Sequence, residues 1–79
     1  MRRYIFTAHA EERLIDEDIT EQEAIAAIER PRRKLKGKKP GRYEVKAKPH
    51  DKMIIVVYEK RNNDILVITA FGARGRKRR

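Results

Sequence analysis

The sequence predicts an α+β domain in which two N-terminal helices pack on one face of a curved antiparallel sheet of three to five strands. Three observations carry this expectation. Apolar residues before Pro31 recur at helical spacing, and those after it alternate or run as β-branched stretches. A chain of 79 residues makes one domain with a modest core. Helices first and a strand meander afterwards leave a sheet with one face to be covered by helix.

The stretch "FTAHAEER" at residues 6–13 opens the first helix just after Thr7. On a wheel of about 100° per residue, Phe6, Ala8, Ala10, Leu14 and Ile15 are read as the apolar arc, with Glu12 and Asp16 opposite. His9 and Arg13 fall four residues apart at the boundary of that arc, so they point the same way. In "TEQEAIAAIERP", Thr20 as N-cap and Glu23 three residues on form a capping box. Ala24, Ile25 and Ile28 make the buried stripe, and Pro31 ends this helix at or before Arg30.

After Pro31 the chain reads as strands. Arg33 to Lys36 is a short candidate, and "GKKPG" is a turn by its glycines and proline. Arg42 to Lys48 alternates, with Tyr43, Val45 and Ala47 on one face and Arg42, Glu44, Lys46 and Lys48 on the other. "PHD" turns the chain and leaves His50 solvated. Lys52 to Lys60 follows as a β-branched run too apolar for a fully wet face. The "NN" dipeptide suits a two-residue hairpin, because Asn tolerates positive φ, and a last strand runs from about Asp64 to Phe71. "RRYIF" at the chain start has room for a further short strand. The domain spans residues 1–72, and 73–79 form a basic tail expected to be disordered.

The absence of cysteine excludes disulfides and thiolate metal sites, and two histidines are too few for an ordinary zinc site. No cofactor and no metal is expected. The longest apolar run, Met53 to Tyr58, falls far short of the roughly 20 residues of a membrane helix, so no membrane partner is expected and a cytoplasmic location is the simplest. A charged fraction of 42% with a single glutamine is a composition of the thermophilic kind.

The net charge of +9 is unevenly placed. Residues 1–29 carry three Lys/Arg against eight Asp/Glu, and residues 30–79 carry 18 against four, so the two parts hold −5 and +14. Two blocks contain no acid: "RPRRKLKGKK" with Arg30, Arg32, Arg33, Lys34, Lys36, Lys38 and Lys39, and "RGRKRR" with Arg74, Arg76, Lys77, Arg78 and Arg79. Such blocks present a positive field to a polyanion, and nucleic acid is the commonest partner because each neutralised phosphate releases counterions.

Metal-independent RNA cleavage needs a base for the 2′-OH, positive charge at the phosphate and an acid for the 5′-oxygen. Histidine suits either proton role, and arginine matches phosphate oxygens. His9 and Arg13 are therefore candidate catalytic residues, with Tyr58, Lys60 and Thr69 on the two most apolar strands as further donors. Bland readings stand beside each: a boundary histidine bonded to a backbone carbonyl, an Arg13–Glu17 ion pair, β-formers at Tyr58 and Thr69, and a solvated strand end at Lys60.

Phe6-Thr7, His9-Ala10, Arg13, the capping box and Pro31, followed by a tyrosine-bearing strand, "MIIVVYEK" and "ILVITAF", resemble a widespread family of small prokaryotic domains of unknown function. That family is grouped by fold with the RelE/ParE and BrnT-like toxins. The resemblance covers about residues 4–71. It implies a helix pair on a curved antiparallel sheet, and a toxin-type endoribonuclease restrained by an antitoxin protein. The alternatives are a non-catalytic RNA-binding module and an interaction domain whose acidic helical face docks a basic partner. Where such domains often carry another arginine and a glycine after the first helix, this chain has "DEDI" at 16–19.

Overall fold

The computed structural model describes residues 2–72. In chain order the elements are β1 (Arg3–Phe6), α1 (Ala8–Glu17), α2 (Glu21–Glu29), β2 (Arg33–Lys36), β3 (Arg42–Ala47), a 3-10 turn (Pro49–Asp51), β4 (Ile54–Arg61) and β5 (Asp64–Gly72). The five strands form one open sheet in the order β1-β5-β4-β3-β2.

The sheet is mixed rather than antiparallel throughout. "RRYIF" does form a strand, but β1 pairs parallel with β5, with Arg3 opposite Asp64 and Phe6 opposite Val67. β1 runs through Thr7 directly into α1, which packs on β5, the strand beside β1. The other three pairings are antiparallel. A bulge at Ile68 shifts the β4–β5 register, so that Val57 faces Thr69 while Tyr58 faces Val67.

Both helices begin at side-chain caps. Thr7 Oγ1 accepts from the Ala10 N–H at 3.0 Å. In the capping box at Thr20, the Thr20 hydroxyl accepts from Glu23 N–H and Glu23 Oε1 accepts from Thr20 N–H, both at 3.0 Å. The acidic "DEDI" segment closes α1: Asp18 adopts a left-handed backbone (φ 58°) where glycine is usual, and Ile19 N–H bonds back to Leu14 O at 2.9 Å.

The core joins Ala10, Leu14 and Ile19 with Ala24, Ala27 and Ile28 of α2 and the inward residues of β3, β4 and β5. Ile54, Ile65, Val45, Val56 and Val67 are its largest fully buried side chains. Truncating either isoleucine to alanine costs about 2–5 kcal/mol at such sites. Two expectations are corrected. Ile15 is 81% exposed, because it lies about 100° around the helix from Leu14, and Ala8 is exposed as well. Ile25 is only half-buried, its expected place in the stripe being filled by Ala27.

Candidate nucleic-acid interface

Pro31 stops α2, and the Arg32 N–H then bonds to Lys46 O at 2.8 Å, which lays the next residues beside β3. β2 is thus the outermost strand of the sheet. All four of its residues, Arg33, Lys34, Leu35 and Lys36, are exposed. Alternation puts Lys34 and Lys36 on one side of the strand and Arg33 with Leu35 on the other. Cations on an edge strand also deter pairing with another sheet.

The 37–41 turn continues the basic strip. Gly37 N–H bonds to Arg42 O and Arg42 N–H to Lys39 O. Gly41 has φ +80°, its carbonyl accepts from Lys60 N–H at 2.7 Å, and a Cβ there would meet the Lys60 carbonyl at 3.1 Å. Only glycine takes that conformation without strain. Lys36, Lys38, Lys39, Arg42 and Tyr43 line a cup of about 410 Å³ over the turn. The Lys34 ammonium sits 4.5 Å from the Tyr43 ring centroid, and Tyr43 packs on buried Tyr58 at 5.6 Å.

All seven cations of the first block are exposed, and none has an acidic partner among the described residues. Many of the other arginines are neutralised: Arg3 by Asp64, Arg13 by Glu17, and Arg42 and Arg61 together by Glu59. Glu59 is held below its ordinary pKa by hydrogen bonds from Arg42 and Arg61. The positive field is therefore concentrated on β2 and the residues flanking it.

A second feature adjoins the start of this strip. Glu23 of α2 is buried, with 6% exposure. Burial works against its charge, yet the Thr20 backbone N–H, His50 and Lys52 hold its pKa down to about 2. Its Oε2 lies 3.1 Å from His50 Nδ1 and its Oε1 3.1 Å from Lys52 Nζ. Because the carboxylate is ionised at neutral pH and only accepts, His50 Nδ1 carries the proton and donates, which leaves Nε2 for another partner. His50 and Asp51 both have left-handed φ, 52° and 63°. The expected solvation of His50 holds in part. Its side chain is 79% exposed but engaged at one nitrogen, and no local signal links it to a glutamate 27 positions away.

The family described as "Domain of unknown function (DUF4258)" matches residues 6–72. The chain belongs to that family. No curated protein and no solved structure matches it significantly. The DUF4258 match carries no known activity and does not extend to the RelE/ParE or BrnT-like toxins.

The five residues with expected catalytic roles do not converge in this DUF4258 domain. His9 is exposed on α1. Arg13 is bound to Glu17 at 3.0 Å, and Glu17 also accepts from the Gly72 N–H at 2.9 Å, so the arginine supports the end of β5. Tyr58 is in the core at 4% exposure. Thr69 pairs with Val57, on the opposite sheet face from Tyr58, and Lys60 is exposed near the far end of β4. Arg30, Arg32, Arg33, Lys34, Lys36, Lys38 and Lys39 do form one strip. Arg74, Arg76, Lys77, Arg78 and Arg79 lie outside the described residues. Among the described residues no cluster of three or more His, Cys, Asp or Glu is placed to hold a metal, and no helix is long and apolar enough to cross a membrane.

Proposed function

We propose that this DUF4258 domain binds single-stranded RNA along β2 and the 37–41 turn, as a non-catalytic module. The observation that carries the reading is the strip of seven exposed cations, without acidic partners among the described residues, on edge strand β2 and the segments flanking it. Residues two apart on a strand are about 6.6 Å apart, so Lys34 and Lys36 offer successive point charges to a flexible backbone. Duplex readout calls for a helix or ribbon that enters a groove, and β2 is a four-residue strand at the rim. Contacts to phosphate position a strand and carry little sequence information, so binding is expected to be largely sequence-independent.

The endoribonuclease reading, with an antitoxin partner, is less favoured. It asks one phosphate to meet His9, Arg13, Tyr58, Lys60 and Thr69, which occupy different faces of the molecule.

Fluorescence anisotropy with a single-stranded oligoribonucleotide over a range of salt tests the proposal. Each neutralised phosphate contributes about 0.7 to the log–log slope, so replacing Arg33, Lys34 and Lys36 by alanine is expected to flatten it by about 2. An unchanged slope overturns the edge as the binding surface. Deleting residues 74–79 lowers the net charge from +9 to +4 and is expected to weaken binding further.

A further inference from the structure

The cleft between α2 and the Pro49–Asp51 turn has a volume of about 490 Å³, and its lining joins Arg30, Arg32, Lys48 and His50 with Gln22 and the Glu23 carboxylate. We propose that it is a phosphate subsite, in which the imidazolium form of His50 donates from Nδ1–H to Glu23 and from Nε2–H to a phosphate oxygen of the bound RNA strand, while Arg30 and Arg32 supply charge. This deepens the RNA-binding reading and rests on it for the identity of the ligand.

Four observations converge. First, Glu23 fixes the imidazole by its Nδ1, so the free nitrogen is presented with a set orientation. A carboxylate that accepts from one ring N–H favours the imidazolium, whose other N–H is then a donor suited to an anion. Second, the carboxylate charge is offset by the Lys52 ammonium at 3.1 Å, so Arg30 and Arg32 set the sign of the cleft. Third, Arg30 and Arg32 are exposed and lack acidic partners among the described residues, while Lys48 is 3.5 Å from Asp51, which is itself 93% exposed. Fourth, His50 and Asp51 hold consecutive left-handed conformations. Such backbone is uncommon outside glycine and is held at some cost.

Position supports the same assignment. β2 starts one residue after Arg32, so an RNA backbone laid along the edge meets this cleft at one end and the 37–41 cup at the other. A four-residue strand spans about 13 Å, a distance that a few nucleotides cover.

The test observes the histidine ring nitrogens of the full chain by long-range proton–nitrogen NMR near pH 6.5, the ordinary histidine pKa being about 6.5. The probes are inorganic phosphate, a 5′-phosphorylated oligoribonucleotide and its 5′-hydroxyl twin. His9, exposed on α1, is an internal control. The His50 ring is expected to shift saturably while His9 stays still. A response to both oligonucleotides identifies an internal phosphodiester, and a response to the phosphorylated one alone identifies a terminal monoester; either supports the subsite. Equal responses from the two histidines, or none from His50, overturn it. Asparagine tolerates left-handed backbone, so His50→Asn removes the ring without unfolding the turn, and it is expected to weaken binding of the responding probe about tenfold. Inorganic phosphate reports on the cleft even if the β2 alanine variant shows that RNA binds elsewhere, so the two proposals fail separately.

Discussion

Replacing Glu23 by glutamine removes one buried charge and keeps the shape of the capping box, since Gln also serves at that position. The wild-type carboxyl has its pKa lowered from 4.5 to about 2. Its charge is opposed by burial and upheld by Thr20 N–H, His50 and Lys52. A difference of 4.5 − 2 = 2.5 units corresponds to an upper figure of about 3.4 kcal/mol at about 1.36 kcal/mol per unit. His50 is 79% exposed and Lys52 37%, so solvent screening brings this to about 2 kcal/mol. A pKa that is lower in the folded state stabilises the fold above the unfolded value. That contribution is present above pH 4.5 and is lost as the pH falls toward 2. Urea unfolding of wild type and Glu23→Gln at pH 7 is expected to show the full gap, equivalent to a Tm loss of roughly 8–16 °C for a domain this size. The two proteins are expected to converge in stability near pH 2. A gap below about 0.5 kcal/mol at neutral pH, or one that persists unchanged at pH 2, refutes the reasoning.

Gly41→Ala is expected to cost about 1–3 kcal/mol by thermal unfolding, because alanine must adopt φ +80° with its Cβ 3.1 Å from the Lys60 carbonyl; a neutral outcome refutes the turn geometry. His9→Ala is expected to leave both unfolding and RNA affinity within error. Arg13→Ala is expected to lose no more than about 1 kcal/mol through its half-exposed pair with Glu17 and to leave RNA affinity intact. A large affinity loss in either variant would return function to α1.

Local signals made most of the fold legible. Thr20 and Glu23 announce α2 and its capping box, the alternation of Tyr43, Val45 and Ala47 gives the inward face of β3, and Asn62 takes positive φ in the β4–β5 turn. The direction of β1 was not legible, since a four-residue strand carries no mark of whether its neighbour runs with or against it. Ile15 misled because its hydrophobicity alone does not report that α1 buries a narrow stripe of Ala10 and Leu14. At the site, composition revealed the acid-free cations of 30–39, and pairing then showed that they occupy an edge. The Glu23–His50 contact joins a helix cap to a turn distant in sequence, and only the folded chain brings them together. The signature residues His9 and Arg13 are placed as expected on one helix edge, but Glu17 already engages the arginine, which is the ordinary i, i+4 outcome.

Backbone amide chemical-shift mapping with a single-stranded oligoribonucleotide at low salt tests the central claim most directly. The largest shifts are expected along Arg30–Lys39, in the 37–41 turn and at His50, fading as salt rises. Shifts centred on the acidic face of α1 or on the uncovered sheet face around Val57 and Thr69, with β2 unmoved, would contradict it.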